Sequence, residues 1–302
     1  MTASPADDAA HMARALELAR RGLWTTDPNP RVGCVLVREG RVIGEGWHER
    51  AGGPHAEVMA LAAAGPSARG ATAYVTLEPC CHQGRTPPCA DALIAAGVAR
   101  VVYAMRDPNP RVDGGGAARL AAAGIAVEGG LLEQEARELN PGFVARMTRG
   151  RPWVTVKLAA SLDGGTALPG GESRWITGEA AREDVQRLRA RSSAVMTGSG
   201  TVRADDPRLD VRLPGVTRQP LRVVLDSRLR TPPAARILAP PGQALILCTA
   251  LDEARAAALR AAGAEVQALP GAAGNVELAG ALGLLAARQA SELLGECGAG
   301  PA

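Results

Sequence analysis

The sequence predicts an α/β protein of two domains, each built on a mainly parallel sheet. Strand-length apolar runs alternate with helix-length ones along the whole chain. At 302 residues the chain exceeds what one small core needs. A polar, arginine-rich bridge, ARELNPGFVARMTRGRP at 136–152, interrupts the alternation. The domain boundary is placed in it near Arg146, giving domains 1–146 and 147–302.

Residues 8–23 read as an opening helix that Asp7 or Asp8 can cap, with Met12, Leu16, Ala19 and Leu23 on one face. After DPNPR, the runs VGCVLV and RVIGEGW read as an antiparallel hairpin closed by a tight Glu-Gly turn. HAEVMALAA at 55–63 reads as a helix, ATAYVTL as a strand, and CADALIAAG as a helix with a glycine C-cap. RVVYAM (strand), AARLAAAG (helix) and IAVEGG (strand) finish the first series. Past the bridge, WVTVKLAAS, SAVMTG, LRVVLDS, ALILCTA, AEVQAL and ELLGECG read as strands. AAREDVQRLRARS, EARAAALRAAG and VELAGALGLLAARQ read as helices between them.

Composition narrows the function classes. Hydrophobic residues make up 46% of the chain but aromatics only 2%, so the cores must rest on Ala, Val, Leu and Ile. A net charge of +3 with no basic run does not fit an electrostatic nucleic-acid binder. The N-terminus lacks a basic segment followed by an apolar one, and no apolar run is long enough to span a bilayer. A cytoplasmic protein with reduced thiols is therefore expected. Six cysteines (34, 80, 81, 89, 248 and 297) are too sparse for a disulfide scaffold. Of the 34 basic side chains only Lys157 is a lysine. It marks either a site that needs a compact ammonium or chance in an arginine-biased chain.

The densest chemistry lies in EPCCHQGRTPPC at 78–89, read together with His55-Ala56-Glu57 upstream. His55 starts one expected helix and Cys89 opens another. Two helix N-termini, each offering a ligand, can hold a cation, and their dipoles favour thiolate over thiol. The pattern is similar to the H-x-E…P-C…C signature of the zinc deaminases. On that likeness His55, Cys80 and Cys89 hold one Zn²⁺ per chain and leave a fourth position for water. Glu57 is the proton-transferring group and not a ligand. Cys89 lies nine residues after Cys80 instead of three, which points to a substrate other than a nucleic-acid base. Cys81 is left out of the ligand set. A closed structural knot that includes Cys81 is the competing reading, and it gives Glu57 no task. Asn29 and His48 are expected at strand ends near the same edge. Without the metal motif they would read as a turn asparagine and a surface histidine.

In combination, HMARALELA, DPNPRVGCVLV, GWHERAGGPHAE, TLEPCCHQGRTPPC and DPNP resemble the bifunctional riboflavin-biosynthesis deaminase–reductases. VKLAASLDG, GESRWITG, MTGSGTVRADDPRLDVR and VLDSRLRTP extend the resemblance past the bridge. It implies an N-terminal three-layer domain of cytidine-deaminase-like fold and a C-terminal dihydrofolate-reductase-like domain. The first would deaminate a diamino-pyrimidinone carrying a phosphoribosylamino arm, and the second would reduce the ribose to a ribityl chain with NADPH. The resemblance places Asn29, His48, His82, Arg85, Asp107 and Asn109 around the deaminase substrate. It places Lys157, Ser173, Arg189, Leu209, Arg212 and Glu296 around the reductase substrate, where the two arginines suit a phosphate. Ala159, Trp175, Thr177, Thr201, Asp205 and Ser227 are the implied cofactor contacts. Gly198-Ser199-Gly200 could let the backbone approach the cofactor.

The chain stops at GECGAGPA, where the family continues with a phosphate-cradling loop, a helix and further strands. The reductase half is therefore expected to be truncated, with an exposed sheet edge that would favour a homo-oligomer. A deaminase with an inactive or partner-completed reductase half is the alternative this leaves. A nucleic-acid base deaminase would bring a short C-x-x-C, a basic face and stacking aromatics, none of which is evident. A non-catalytic zinc module would bring a closed site. The expected partner is thus a small phosphoribosyl-pyrimidine, with no nucleic acid and no membrane.

Overall fold

The computed structural model describes residues 5–82, 87–168, 170 and 175–297. The chain divides into two compact units, Met1–Arg149 and Gly150–Ala302, and each is described by itself.

The first unit opens with helix α1 (Pro5–Arg20), which starts three residues before expectation. Proline is tolerated in a first helical turn because its missing N–H would have no partner there. Strands β1 (Gly33–Arg38) and β2 (Arg41–Trp47) form the expected hairpin. Its two turn residues, Glu39 and Gly40, both have positive φ (53° and 74°), the geometry that matches strand twist. Helix α2 (Ala56–Ala64), strand β3 (Thr72–Leu77), helix α3 (Cys89–Ala96) and strand β4 (Arg100–Met105) follow. Helix α4 (Gly115–Ala122) and strand β5 (Ala126–Gly129) complete the sheet, in the order β2-β1-β3-β4-β5. β1 runs antiparallel to β2 and β3, whereas β3, β4 and β5 are parallel.

With few aromatic residues, this core gains density through close backbone approach. A Cβ on Gly46 would lie 2.5 Å from the Ala56 carbonyl oxygen, and one on Gly44 would lie 2.4 Å from that of Ala60. The glycines of β2 therefore let the alanine face of α2 settle onto the sheet, at some cost in strand propensity. That contact fixes the first turn of α2, where the candidate chemistry sits.

An ionic cluster around the buried Asp8 ties α1 to the same sheet. Asp8 accepts hydrogen bonds from Tyr74 Oη and from both Arg100 terminal nitrogens, and Arg100 also pairs with Glu128. The Arg100 guanidinium holds the Asp8 carboxyl below its ordinary value of 3.8. A depressed folded-state value gives stability that is present above that ordinary value and lost as pH falls below it. Asp8→Asn should therefore destabilise the protein by roughly 2 kcal/mol at pH 7. In urea unfolding, its gap from the wild type should narrow toward pH 3. A gap of constant size would show that the carboxylate's charge is not what stabilises.

The bridge at 136–152 is largely helical. It carries α5 (Glu133–Leu139) and α6 (Pro141–Arg149). Its polar residues are the outer faces of these helices, including the Glu133–Arg137 ion pair, while Ala136, Leu139, Phe143 and Ala145 are buried.

The second unit is a parallel sheet of β6 (Trp153–Lys157), β7 (Ala194–Gly198), β8 (Leu221–Leu225), β9 (Ala244–Cys248), β10 (Ala264–Ala268) and β11 (Glu292–Glu296). Its order is β10-β9-β8-β7-β11-β6. Helices α7 (Glu179–Arg191), α8 (Ser199–Asp205), α9 (Glu253–Ala261) and α10 (Leu278–Ala287) lie between strands in the chain. Alternate strand residues feed two separate cores: Val195, Val224 and Ile246 join one, and Met196, Val223 and Leu245 the other. The strands are thus buried on both faces, as parallel sheets require, and read as unbroken apolar runs. Edge strand β6 is the exception, with Val156 60% exposed. The Gly198-Ser199-Gly200 stretch that follows β7 starts α8, with Gly198 as its N-cap. Among the described residues, no helix is long and apolar enough to cross a membrane.

Candidate active sites

His55 is the N-cap of α2, Cys80 follows β3, and Cys89 is the first residue of α3. This helix-start placement brings three potential ligand atoms to within 4.8 Å of one another. His55 Nδ1 is 3.0 Å from Cys89 Sγ and 3.7 Å from Cys80 Sγ. A tetrahedral zinc with ordinary Zn–N and Zn–S bonds separates such atoms by about 3.5 Å, so the trio fits that ion. The Cys89 N–H donates to Cys80 Sγ. The Cys80 thiol is lowered to about 4, chiefly by its hydrogen bond with Cys89, with His55 and that backbone N–H adding to it. The same contact, with burial, raises Cys89. One imidazole and two thiols converging within 4.8 Å are a donor set suited to a divalent ion.

Glu57, in the first turn of α2, is 3% exposed, and burial raises its carboxyl above the usual range. His48 follows β2 and packs edge-on against the His55 ring, at a centroid separation of 5.4 Å. Its Nδ1–H donates to the Pro54 carbonyl, leaving Nε2 to accept from Asn29 Nδ2 at 3.0 Å. Burial lowers His48, so the neutral ring that this pattern requires is the favoured one. Asp107 accepts from the Asn109 N–H, and burial pushes it up to about 7. His82 presents a buried Nδ1 with no hydrogen-bond partner among the described residues. Cys81 turns away from the trio, its Sγ 3.8 Å from the Arg111 carbonyl. Arg85 lies outside the described residues.

Several residues that hold this geometry were not singled out from the sequence. Asn140 bonds both the N–H and the carbonyl of Arg31, Arg31 Nη1 donates to the Leu139 carbonyl, and Arg146 Nη2 donates to that of Pro28. The loop carrying Asn29 is therefore clamped by the two helices of the bridge. The Asn-Pro pair at 140–141 signals only a break between helices, and its partner is 109 positions away.

In the second unit, a cavity of about 520 Å³ opens at the C-terminal ends of the parallel strands, where open α/β sheets take ligands. Lys157, Arg189, Leu209, Arg212, Glu296, Ala159, Trp175, Thr177, Thr201 and Asp205 all line it. Lys157 and Glu296 are register partners on β6 and β11. Arg189 grips both Glu296 oxygens at 2.6 and 2.9 Å, and Arg212 pairs with the buried Asp210. Both arginines expected to meet a phosphate thus arrive already engaged with carboxylates. Ser227 is not among the lining residues; its Oγ accepts from the Val276 N–H. Ser173 lies outside the described residues. Arg182, stacked 4.5 Å from the Trp175 ring, also lines the cavity. In a chain this rich in arginine, nothing in the sequence distinguishes it.

Comparison with known proteins accounts for both sites. Residues 5–105 match the family model of the cytidine and deoxycytidylate deaminase zinc-binding region. Residues 152–301 match that of the RibD C-terminal domain. The Escherichia coli riboflavin biosynthesis protein RibD is 58% identical over 248 residues, which cover 78% of this chain and 68% of that protein. The crystal structure of Acinetobacter baumannii RibD superposes with a TM-score of 0.89 at 48% identity, covering 97% of this chain and 81% of that one. The chain belongs to the RibD family. A Thermotoga maritima diaminohydroxyphosphoribosylaminopyrimidine deaminase/5-amino-6-(5-phosphoribosylamino)uracil reductase superposes with a TM-score of 0.85 at 37% identity, covering 96% of this chain and 81% of that one. The His/Cys/Cys trio lies inside the zinc-binding region shared with that family, and the arginine-lined cavity lies inside the RibD C-terminal region. Both RibD domains are thus present, and the alternative of a lone deaminase is not favoured.

Proposed function

We propose that this chain carries out two successive steps of riboflavin biosynthesis on one phosphoribosylated pyrimidine. The first unit hydrolyses an exocyclic amine, and the second reduces the sugar with NADPH. The observation that carries the reading is the ligand trio with the buried Glu57 beside it.

Deamination exchanges a C–NH₂ bond for C=O: water supplies the oxygen and ammonia leaves with the displaced proton. His55, Cys80 and Cys89 would hold the zinc, which when bound would supply the Lewis acidity that makes water nucleophilic near neutral pH. Glu57 takes the water's proton and returns it to the departing nitrogen. A carboxyl raised by burial suits both directions of transfer. Neutral His48, held by Asn29 and Pro54, keeps the His55 ring oriented. Asn29, His82, Asp107 and Asn109 face the pyrimidine in this reading.

In the second unit, NADPH when bound would supply hydride to the open-chain sugar carbon, and a proton would complete the reduction. Lys157 at the strand end, with the Arg189–Glu296 pair and Arg212, orients the substrate. Trp175, Thr177, Thr201, Asp205 and Ala159, which line the cavity, are assigned to the cofactor. Reduced cysteines at the metal site suit a reducing compartment such as the cytoplasm.

The test supplies the diamino-pyrimidine substrate with and without NADPH. Ammonia should appear in both cases, and NADPH should be consumed only once the deaminated product is present. NADPH oxidation with no ammonia release would overturn the assigned order, and absence of ammonia would overturn the deaminase.

A further inference from the structure

Glu78 enters the deaminase signature only as the residue before Pro79-Cys80. It stands at the end of β3 and is 2% exposed. A buried carboxylate is costly unless it is satisfied. Here its partners all come from one distant segment. Oε2 accepts from the N–H groups of Asp107 (3.3 Å) and Gly114 (3.0 Å). Oε1 accepts from those of Gly116 and Ala117, each at 3.1 Å. One side chain therefore closes both ends of the 107–114 loop and caps the first turn of α4.

The same contact brings that segment against the metal-ligand strand. A Cβ on Gly116 would lie 1.8 Å from the Pro79 carbonyl oxygen, so only glycine fits there. Within the loop, Asp107 accepts from the Asn109 N–H and Asn109 Oδ1 accepts from the Arg111 N–H. The shape of the Asp107–Asn109 turn and its distance from Cys80 thus share one anchor.

We propose that Glu78 is a positioning residue of the deaminase, setting the Asp107–Asn109 loop against the ligand strand and so acting on substrate binding, not on the metal or on proton transfer. This rests on the proposed deaminase function. All four partners are donors, so a neutral amide cannot replace the carboxylate: in Glu78→Gln the NH₂ group must face backbone N–H groups.

The experiment uses the full zinc-loaded chain with Glu78→Gln and Glu78→Asp. Zinc content, ammonia-release kinetics and amide hydrogen exchange are measured. In Glu78→Gln, zinc should be retained, KM should rise at least tenfold, and kcat should change less than threefold. Exchange should accelerate over 107–117 and not over 55–64. Glu78→Asp, which keeps the charge, should recover part of the KM loss. An unchanged KM, loss of zinc, or an equal fall in kcat would each overturn the proposal. So would failure of both variants to fold, which would assign Glu78 to folding alone. If the wild type released no ammonia, the deaminase reading would fail on its own. The exchange pattern would still decide whether Glu78 anchors the loop.

Discussion

Glu57→Gln should leave one zinc per chain in place and lower ammonia release by roughly 10²–10⁴-fold. The substitution preserves shape at a site that is 3% exposed, so packing of the first turn of α2 against β2 is undisturbed. It removes the only acidic side chain in that turn, and with it the group proposed to carry the proton from water to ammonia. Burial already pushes the carboxyl toward its neutral form, so an amide adds no desolvation strain. The loss should therefore appear in kcat with zinc content unchanged. Turnover near the wild-type rate would remove Glu57 from the role.

Cys89→Ser should empty the metal site and abolish deamination, whereas Cys81→Ser should keep both. Cys89 is fully buried, and its sulfur stands 3.0 Å from His55 Nδ1. A serine hydroxyl is a poor zinc ligand at neutral pH and its oxygen sits nearer the backbone, so two ligands would remain where three are needed. Serine is acceptable at a helix start, so α3 itself should survive. Cys81 Sγ lies beside Gly115 and the Arg111 carbonyl, outside the ligand trio. Metal analysis should find about one zinc per chain in Cys81→Ser and nearly none in Cys89→Ser. Loss of zinc in Cys81→Ser would mean that the ligand set is wrong.

The sequence was most informative where chemistry and local geometry coincide. His55, Glu57, Cys80 and Cys89 are few and chemically distinctive, and their order resembles the zinc-deaminase signature, so the trio is legible in the sequence by that likeness. The strands of both sheets were legible for the same reason. The helices of the bridge are not evident in the sequence because amphipathic helices with small apolar faces, such as α6 with Phe143 and Ala145 buried, look polar in a linear scan. Helix α8 was missed because Gly198-Ser199-Gly200 carries a turn composition. Glu78 and Asn140 were illegible in another way: their partners are backbone groups 29 to 39 and 109 positions off, and a backbone N–H has no letter of its own. The cavity arginines fall between these cases. Arg189 and Arg212 were drawn by likeness alone, and the carboxylates that engage them, Glu296 and Asp210, appear only in three dimensions.

The position of β11 sets an order of events during synthesis. This last described strand lies between β6, the first strand of its unit, and β7, and it also supplies the glutamate that Arg189 grips. Among the described residues, β6 has no other neighbour in its sheet. While the chain emerges from the ribosome, the first unit can close early from pairings that span a few dozen residues. The second cannot seat its opening strand until residues 292–296 arrive, about 140 positions later. Strand 153–157 thus has no partner in its sheet until that late segment has been made.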